Sequence, residues 1–149
     1  VSVRTAVRVA VHDRKPEPAS YRLARGRMFE ADTTREWKQI VRDRAILAMG
    51  GEPPFEGPLR LNLKVTLRRP KGHYLGGDPK RELSAEGRRH ARPTTKPDLT
   101  ALLRAVEDAL TDVCYRDDSQ VAEQRTAKAY GNRPGVEVEL VMLSPLGDA

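Results

Sequence analysis

The chain has 149 residues and a mass of 16.7 kDa, with 27 Lys+Arg against 21 Asp+Glu, a net charge of +6 and a pI of about 9.8. That length fits one domain over residues 1–149 and leaves no material for a second full core. No apolar run approaches the roughly 18 residues of a membrane span, and the single cysteine, Cys114, excludes an internal disulfide or a thiolate zinc cluster.

Residues 1–10 hold no apolar segment followed by a cleavage site, so a cytoplasmic protein without a membrane partner is expected. Val3, Val7, Val9 and Val11 alternate around Arg4 and Arg8, which predicts a strand with one buried face. Residues 12–31 contain Pro16, Pro18 and Gly26 and read as a loop carrying Arg22, Arg25 and Arg27. Thr33 with Glu36 three residues on is a capping-box pattern. The helix it opens spaces Trp37, Ile40, Val41, Arg44, Leu47 and Ala48 along one side, and Gly50-Gly51 and Pro53-Pro54 end it. Leu59, Leu61, Leu63, Val65 and Leu67 alternate as a second strand.

Residues 68–97 are polar and rich in Arg, Gly and Pro, and are expected to form a long loop without packed structure. Within it His73, Tyr74 and His90 are expected in solvent. The clearest helix runs from Asp98 to Val113, with Leu99, Leu102, Leu103, Val106, Leu110 and Val113 in one apolar stripe. Ala101, Ala105 and Ala109 flank that stripe as a small-residue row. Cys114 follows on the apolar side as core filler. Tyr115–Asp118 reads as a turn and residues 121–130 as a strand. Gly131–Gly135 is a turn into a last strand through Val136, Val138, Leu140 and Met142. The order implies an α+β fold, a small mixed sheet of about four strands with helices on one face, its strands arranged as segregated hairpins.

The net charge conceals an asymmetry. Residues 60–96 carry a net charge of +8, and residues 97–123 carry −5. Basic segments bind polyanions, and clustered carboxylates bind hard cations or form a solvated face. Asp98 opens the long helix, Arg104 and Asp108 lie a turn apart on its polar side, and Asp117-Asp118 follow its end. A helix of about 15 residues spans about 22 Å. Asp98 and Asp118 can therefore meet only if the next strand returns along the helix, or if a second chain supplies one of them. A capping role for Asp98 and a solvated turn at Asp117-Asp118 are the plainer readings of the same residues.

These segments resemble RusA-type Holliday junction resolvases. The resemblance rests on Lys96-Pro97-Asp98-Leu99, on Leu102 to Leu110, on Tyr115-Arg116-Asp117-Asp118-Ser119-Gln120-Val121, and on Lys128-Ala129-Tyr130 with Pro134 to Val138. It implies a homodimeric, Mg²⁺-dependent endonuclease that cuts four-way DNA junctions in recombination and repair, with Mn²⁺ as a substitute and no small-molecule cofactor. It implies metal ligation by Asp98 and Asp118. Thr100 stands where the family has a second acid, Ala101 where it has Asn, and Arg104 where it has Lys. Asp117 or Asp108 could supply the missing charge. On this reading Asp117 supports the metal shell and Arg104 contacts the scissile phosphate. Arg68, Arg69, Lys71, Lys96, Arg116 and Lys128 bind DNA phosphates. The alternative is a junction- or DNA-binding protein of the same fold with weakened catalysis.

Overall fold

The computed structural model describes residues 4–144 and residue 146. Its centre is a four-stranded mixed sheet. β1 (Ala6–His12) buries Val7, Val9 and Val11, as the alternation predicts. β4 (Leu59–Arg68) buries Leu59, Leu61, Leu63, Val65 and Leu67 on the same side. β5 (Val121–Gly131) runs parallel to β4, and β6 (Gly135–Met142) antiparallel to β4 and β1. The spatial order is β1-β6-β4-β5. The last two strands are thus not a paired hairpin. β4 lies between them, and residues 132–134 cross over its end, about two strand spacings or 10 Å. The turn residues predict a reversal of direction correctly. They carry no information about a strand inserted from elsewhere.

Residues 12–31 are more ordered than a loop. β2 (Tyr21–Ala24) and β3 (Arg27–Glu30) form an antiparallel ribbon separate from the main sheet. Its two turn residues, Arg25 and Gly26, have φ of 51° and 74°. Two positive φ values suit a two-residue turn, because that turn matches the twist of the strands it joins.

α1 (Asp32–Met49) starts without a side-chain cap, so the expected Thr33–Glu36 box does not form. The neighbouring Thr34 is buried instead and donates its hydroxyl to the Pro18 carbonyl at 2.8 Å. The buried side of α1 is Thr34, Trp37, Val41, Ala45 and Met49, spaced by three and four. Leu47, expected in the stripe, lies on the other side and is 76% exposed. Gly50 in left-handed geometry (φ 59°) closes the helix, its N–H donating to the Ile46 and Leu47 carbonyls.

The segment 68–97 is also folded. It holds short 3-10 turns at Lys71–His73 and Leu75–Gly77, a bridge between Tyr74 and Leu83, and α2 (Ala85–Arg89), capped by the Ser84 hydroxyl. His73 and Tyr74, expected in solvent, are each only 8% exposed. Gly87 permits this packing, since a Cβ there would lie 2.2 Å from the His73 carbonyl oxygen.

α3 (Leu99–Leu110) buries Leu102, Leu103, Ala105, Val106, Ala109 and Leu110 against α1 and the sheet. Burying each leucine contributes about 1.5–3 kcal/mol. That fixes the rotation of the helix and therefore the direction of its polar residues. Cys114 and Tyr115 follow it into the core, both fully buried.

Candidate metal and nucleic-acid site

The polar residues of interest fall at the two ends of α3. At its carboxyl end, residues 117–120 form a built turn. The Asp117 side chain accepts from the Ser119 N–H at 2.9 Å. The Gln120 side-chain oxygen accepts from the Arg116 and Asp117 N–H groups at 2.9 and 3.2 Å. Its amide then donates to the Phe55 and Gly57 carbonyls at 2.9 and 3.1 Å. The D-D-S-Q string is therefore a capping box that anchors the start of β5 to the segment before β4. Asp117 is occupied in that cap, and the cap holds its carboxyl below the usual carboxylate range. Asp118 is left exposed. Its carboxyl is raised, first by its hydrogen bond with Asp117, then by slight burial and by the charges of Asp117 and Asp108.

Glu107 joins this group. Burial raises its carboxyl most, followed by the charges of Asp118 and Asp108, with Arg104 opposing. The backbone beneath is fixed, because the Tyr115 hydroxyl and the Thr111 hydroxyl both donate to the Glu107 carbonyl, at 2.8 and 2.9 Å. Lys38 of α1 reaches in from the side, 3.6 Å from Asp108 and 2.6 Å from Glu30. Burial alone would lower the Lys38 ammonium, but its bond to Glu30 and the two acids outweigh that and raise it.

At the amino end of α3 the chemistry reverses. Asp98 occupies the N-cap position with its side chain exposed and making no capping bond, so the plain capping role is not the one it fills. The cis Lys96-Pro97 peptide precedes it. Arg68, Lys96 and Lys15 line an adjoining cleft of about 480 Å³ together with Pro97 and Tyr130. Lys71 is exposed on its 3-10 turn, and Arg116 is exposed beside Asp117.

Arg69 and Lys128 are directed inward instead. Arg69 donates to the Gly87 and His90 carbonyls at 2.8 and 2.7 Å and lies over the Tyr130 ring, 5.3 Å from its centre. Lys128 donates to the Thr95 and Pro97 carbonyls at 2.8 and 3.0 Å. The ordered state of residues 68–97 depends on such contacts from the chain's own cations.

The return of β5 along α3 brings Lys128, not Asp118, to the neighbourhood of Asp98. α3 has 12 residues, so its ends lie about 18 Å apart. Asp118 lies at the end where it interacts with Glu107 and Asp108. Within one chain Asp98 and Asp118 do not share a point. Thr100 and Arg104 lie between them, both exposed on α3. Among the described residues no group of three or more His, Cys, Asp or Glu side chains is arranged to hold a metal ion. The donor set at the carboxyl end nevertheless suits a hard cation. Glu107, Asp108 and Asp118 feel one another's charge, and Mg²⁺ needs only one or two carboxylates because it keeps several waters.

Three contributors were not singled out from the residues: Glu107, Lys38 and the organising role of Gln120. Gln120 had a readable signal, since Asp117 and Gln120 have the spacing of a capping box. Lys38 had none, because Asp108 is distant in sequence and Glu30 belongs to β3, outside the helix period that carries Lys38.

Two comparisons bear on this geometry. A protein of Bacillus subtilis (strain 168), named uncharacterized protein YqaN, is 34% identical over 121 residues, covering 80% of this chain and 81% of that protein. The family model described as Endodeoxyribonuclease RusA matches residues 14–141, a span that includes the β2–β3 ribbon, both ends of α3 and the Asp117–Gln120 turn. No helix of the described residues is long and apolar enough to cross a membrane. The chain belongs to the RusA endodeoxyribonuclease family.

Proposed function

We propose that this chain is a Mg²⁺-dependent endodeoxyribonuclease that resolves four-way DNA junctions, acting as one nuclease domain in a homodimer. The observation that carries the reading is the exposed Asp118 carboxylate, presented beside Glu107 and Asp108 by a turn that Asp117 caps. Mg²⁺ supplies Lewis acidity toward the phosphodiester and a water of lowered pKa. Asp118 and Asp98 hold the ion, with the Thr100 hydroxyl as a neutral donor. Asp117 sets the direction of Asp118 through the cap. Arg104, a turn from Glu107, faces the scissile phosphate and stabilises charge that develops on it. Arg68, Lys71, Lys96 and Arg116 hold flanking phosphates.

Because Asp98 and Asp118 stand a helix length apart in one chain, the site is completed across a two-fold dimer. Asp98 of one protomer then lies beside Asp118 of the other. A two-fold dimer supplies two such sites, as paired cuts on opposite strands require. The test is cleavage of a synthetic four-way junction with Mg²⁺, against linear duplex and against Asp98→Asn and Asp118→Asn. Paired nicks on the junction by the wild type, lost in both variants, are expected. Equal cutting by Asp118→Asn would sink the site. Tight junction binding without product at any Mg²⁺ or Mn²⁺ concentration would favour a binding protein of weakened catalysis, to which Thr100 and Arg104 point.

A further inference from the structure

The β2–β3 ribbon has no place in the scheme above, yet its root lies on the helix that carries the site. The Ala19 N–H donates to the Ala101 carbonyl of α3 at 2.9 Å, and the Ala31 N–H to the Ser20 carbonyl at 2.9 Å. On the other side Glu30 is tied through Lys38 to Asp108. The root therefore spans α3 from Ala101 to Asp108, on either side of Arg104. Beyond the root, Tyr21 to Phe29 are exposed.

Two strands alone are marginally stable in water. The composition of this pair also differs from that of an idle turn. Residues 21–29 contain Arg22, Arg25 and Arg27 and no acid. None of the three guanidinium groups forms an ion pair or a side-chain hydrogen bond among the described residues. The register puts Arg22 opposite Phe29 and Ala24 opposite Arg27 on one side, and Leu23 opposite Met28 on the other. Leu23 and Met28 are 70% and 65% exposed. Basic two-stranded ribbons with apolar side chains suit a DNA groove, where arginines meet phosphates and an apolar pair lies against sugars or an opened base step. Charge decides the occupant. A ribbon tip of three uncompensated cations is repelled by a second copy of itself and attracted by a polyanion.

We propose that β2–β3 is a DNA-clasping arm, which grips a duplex arm of the substrate next to the scissile phosphate held at α3. The proposal rests on the nuclease reading for its substrate, and its test separates the two. Binding is measured without cleavage, in Ca²⁺, to a four-way junction and to linear duplex across a range of salt. The triple variant Arg22→Gln/Arg25→Gln/Arg27→Gln is compared with wild type and with the charge-keeping Arg22→Lys/Arg25→Lys/Arg27→Lys.

The Gln variant is expected to bind about tenfold or more weakly, with the slope of log affinity against log salt smaller by about 2–3, and the Lys variant to keep most of that slope. All three positions are exposed, so thermal melting is expected to be unchanged, which separates lost contact from lost fold. Unchanged affinity and slope in the Gln variant overturn the arm while leaving the nuclease reading intact. Conversion of dimer to monomer by Leu23→Ser/Met28→Ser, with DNA binding unaltered in the Gln variant, assigns the ribbon to the dimer interface and also overturns it. A wild type that binds no DNA overturns both readings.

Discussion

The two ends of α3 carry opposite chemistry on one rigid element. The amino end presents a single free acid, Asp98, beside a cleft lined by Lys15, Arg68 and Lys96, where Asp13 is paired with Arg133. The carboxyl end presents Glu107, Asp108, Asp117 and Asp118 around Arg104 and Lys38. On the proposed reading the first end takes phosphate and the second a cation. Within one chain about 18 Å of helix keeps them apart. On that reading neither end is a complete nuclease site by itself, and a two-fold axis placing opposite ends together would make two.

The largest expected effects come from emptying either end. Asp118→Asn and Asp98→Asn are each expected to lower the junction-cleavage rate by about 10²–10³-fold or more, with junction binding retained. Mixing the two variants sharpens the comparison. In a composite arrangement the mixed dimer has one site with both defects and one with none. Co-refolded Asp98→Asn and Asp118→Asn chains should therefore regain single-strand nicking, at about a quarter of the wild-type site number. A site formed within one chain would regain nothing, so continued inactivity of the mixture breaks the two-ended scheme.

The supports of the two ends should fail differently. Gln120→Leu removes two donors from the Phe55 and Gly57 carbonyls and the acceptor for two N–H groups. A loss of about 1–3 kcal/mol is expected, or a melting point lower by about 3–10 °C, with cleavage impaired because Asp118 is no longer held. Lys128→Met leaves the Thr95 and Pro97 carbonyls without their donor. It should also cost about 1–3 kcal/mol. It should lower cleavage through a displaced Asp98, yet leave the salt slope of DNA binding unchanged. A slope reduced by about 1 would instead make Lys128 a phosphate contact.

Where the chain follows local rules, the sequence was readable. The alternation of β1 and β4 and the apolar stripe of α3 each predict their own buried side, because one period decides which residues face the core. The order of strands was not readable, since the insertion of β4 between β5 and β6 is a decision between distant segments. Residues 68–97 look structureless because they contribute few apolar side chains. Their order comes from backbone bonds such as Ser84 to His73 and from Arg69 and Lys128, cations holding backbone carbonyls, and such contacts leave the same composition as a phosphate-binding loop. At the site, Asp117 and Asp118 looked alike as neighbouring acids. Only the cap on Asp117 separates the residue that builds the turn from the one the turn presents.

The smallest expected effect tests the acidic end by titration. Glu107 and Asp118 both have folded pKa values above the ordinary ones. Their ionisation therefore opposes folding. The penalty is absent below the unfolded values of about 4 and grows as pH rises through the folded values. Asp117, held low by its cap, acts in the opposite direction: its contribution is present above the unfolded value and is lost on acidification. Glu107→Gln isolates one side of this balance. It should raise the melting point at pH 7 by less than about 3 °C, since solvent reaches the carboxyl and screens it. At pH 4 the gain should vanish. Mg²⁺ is expected to stabilise the wild type at pH 7, and the same substitution should lessen that stabilisation, because a bound ion would relieve the repulsion Glu107 contributes. If Mg²⁺ stabilises wild type and Glu107→Gln equally, Glu107 lies outside the cation's reach, and Asp118 is left as the acid that serves it at this end of α3.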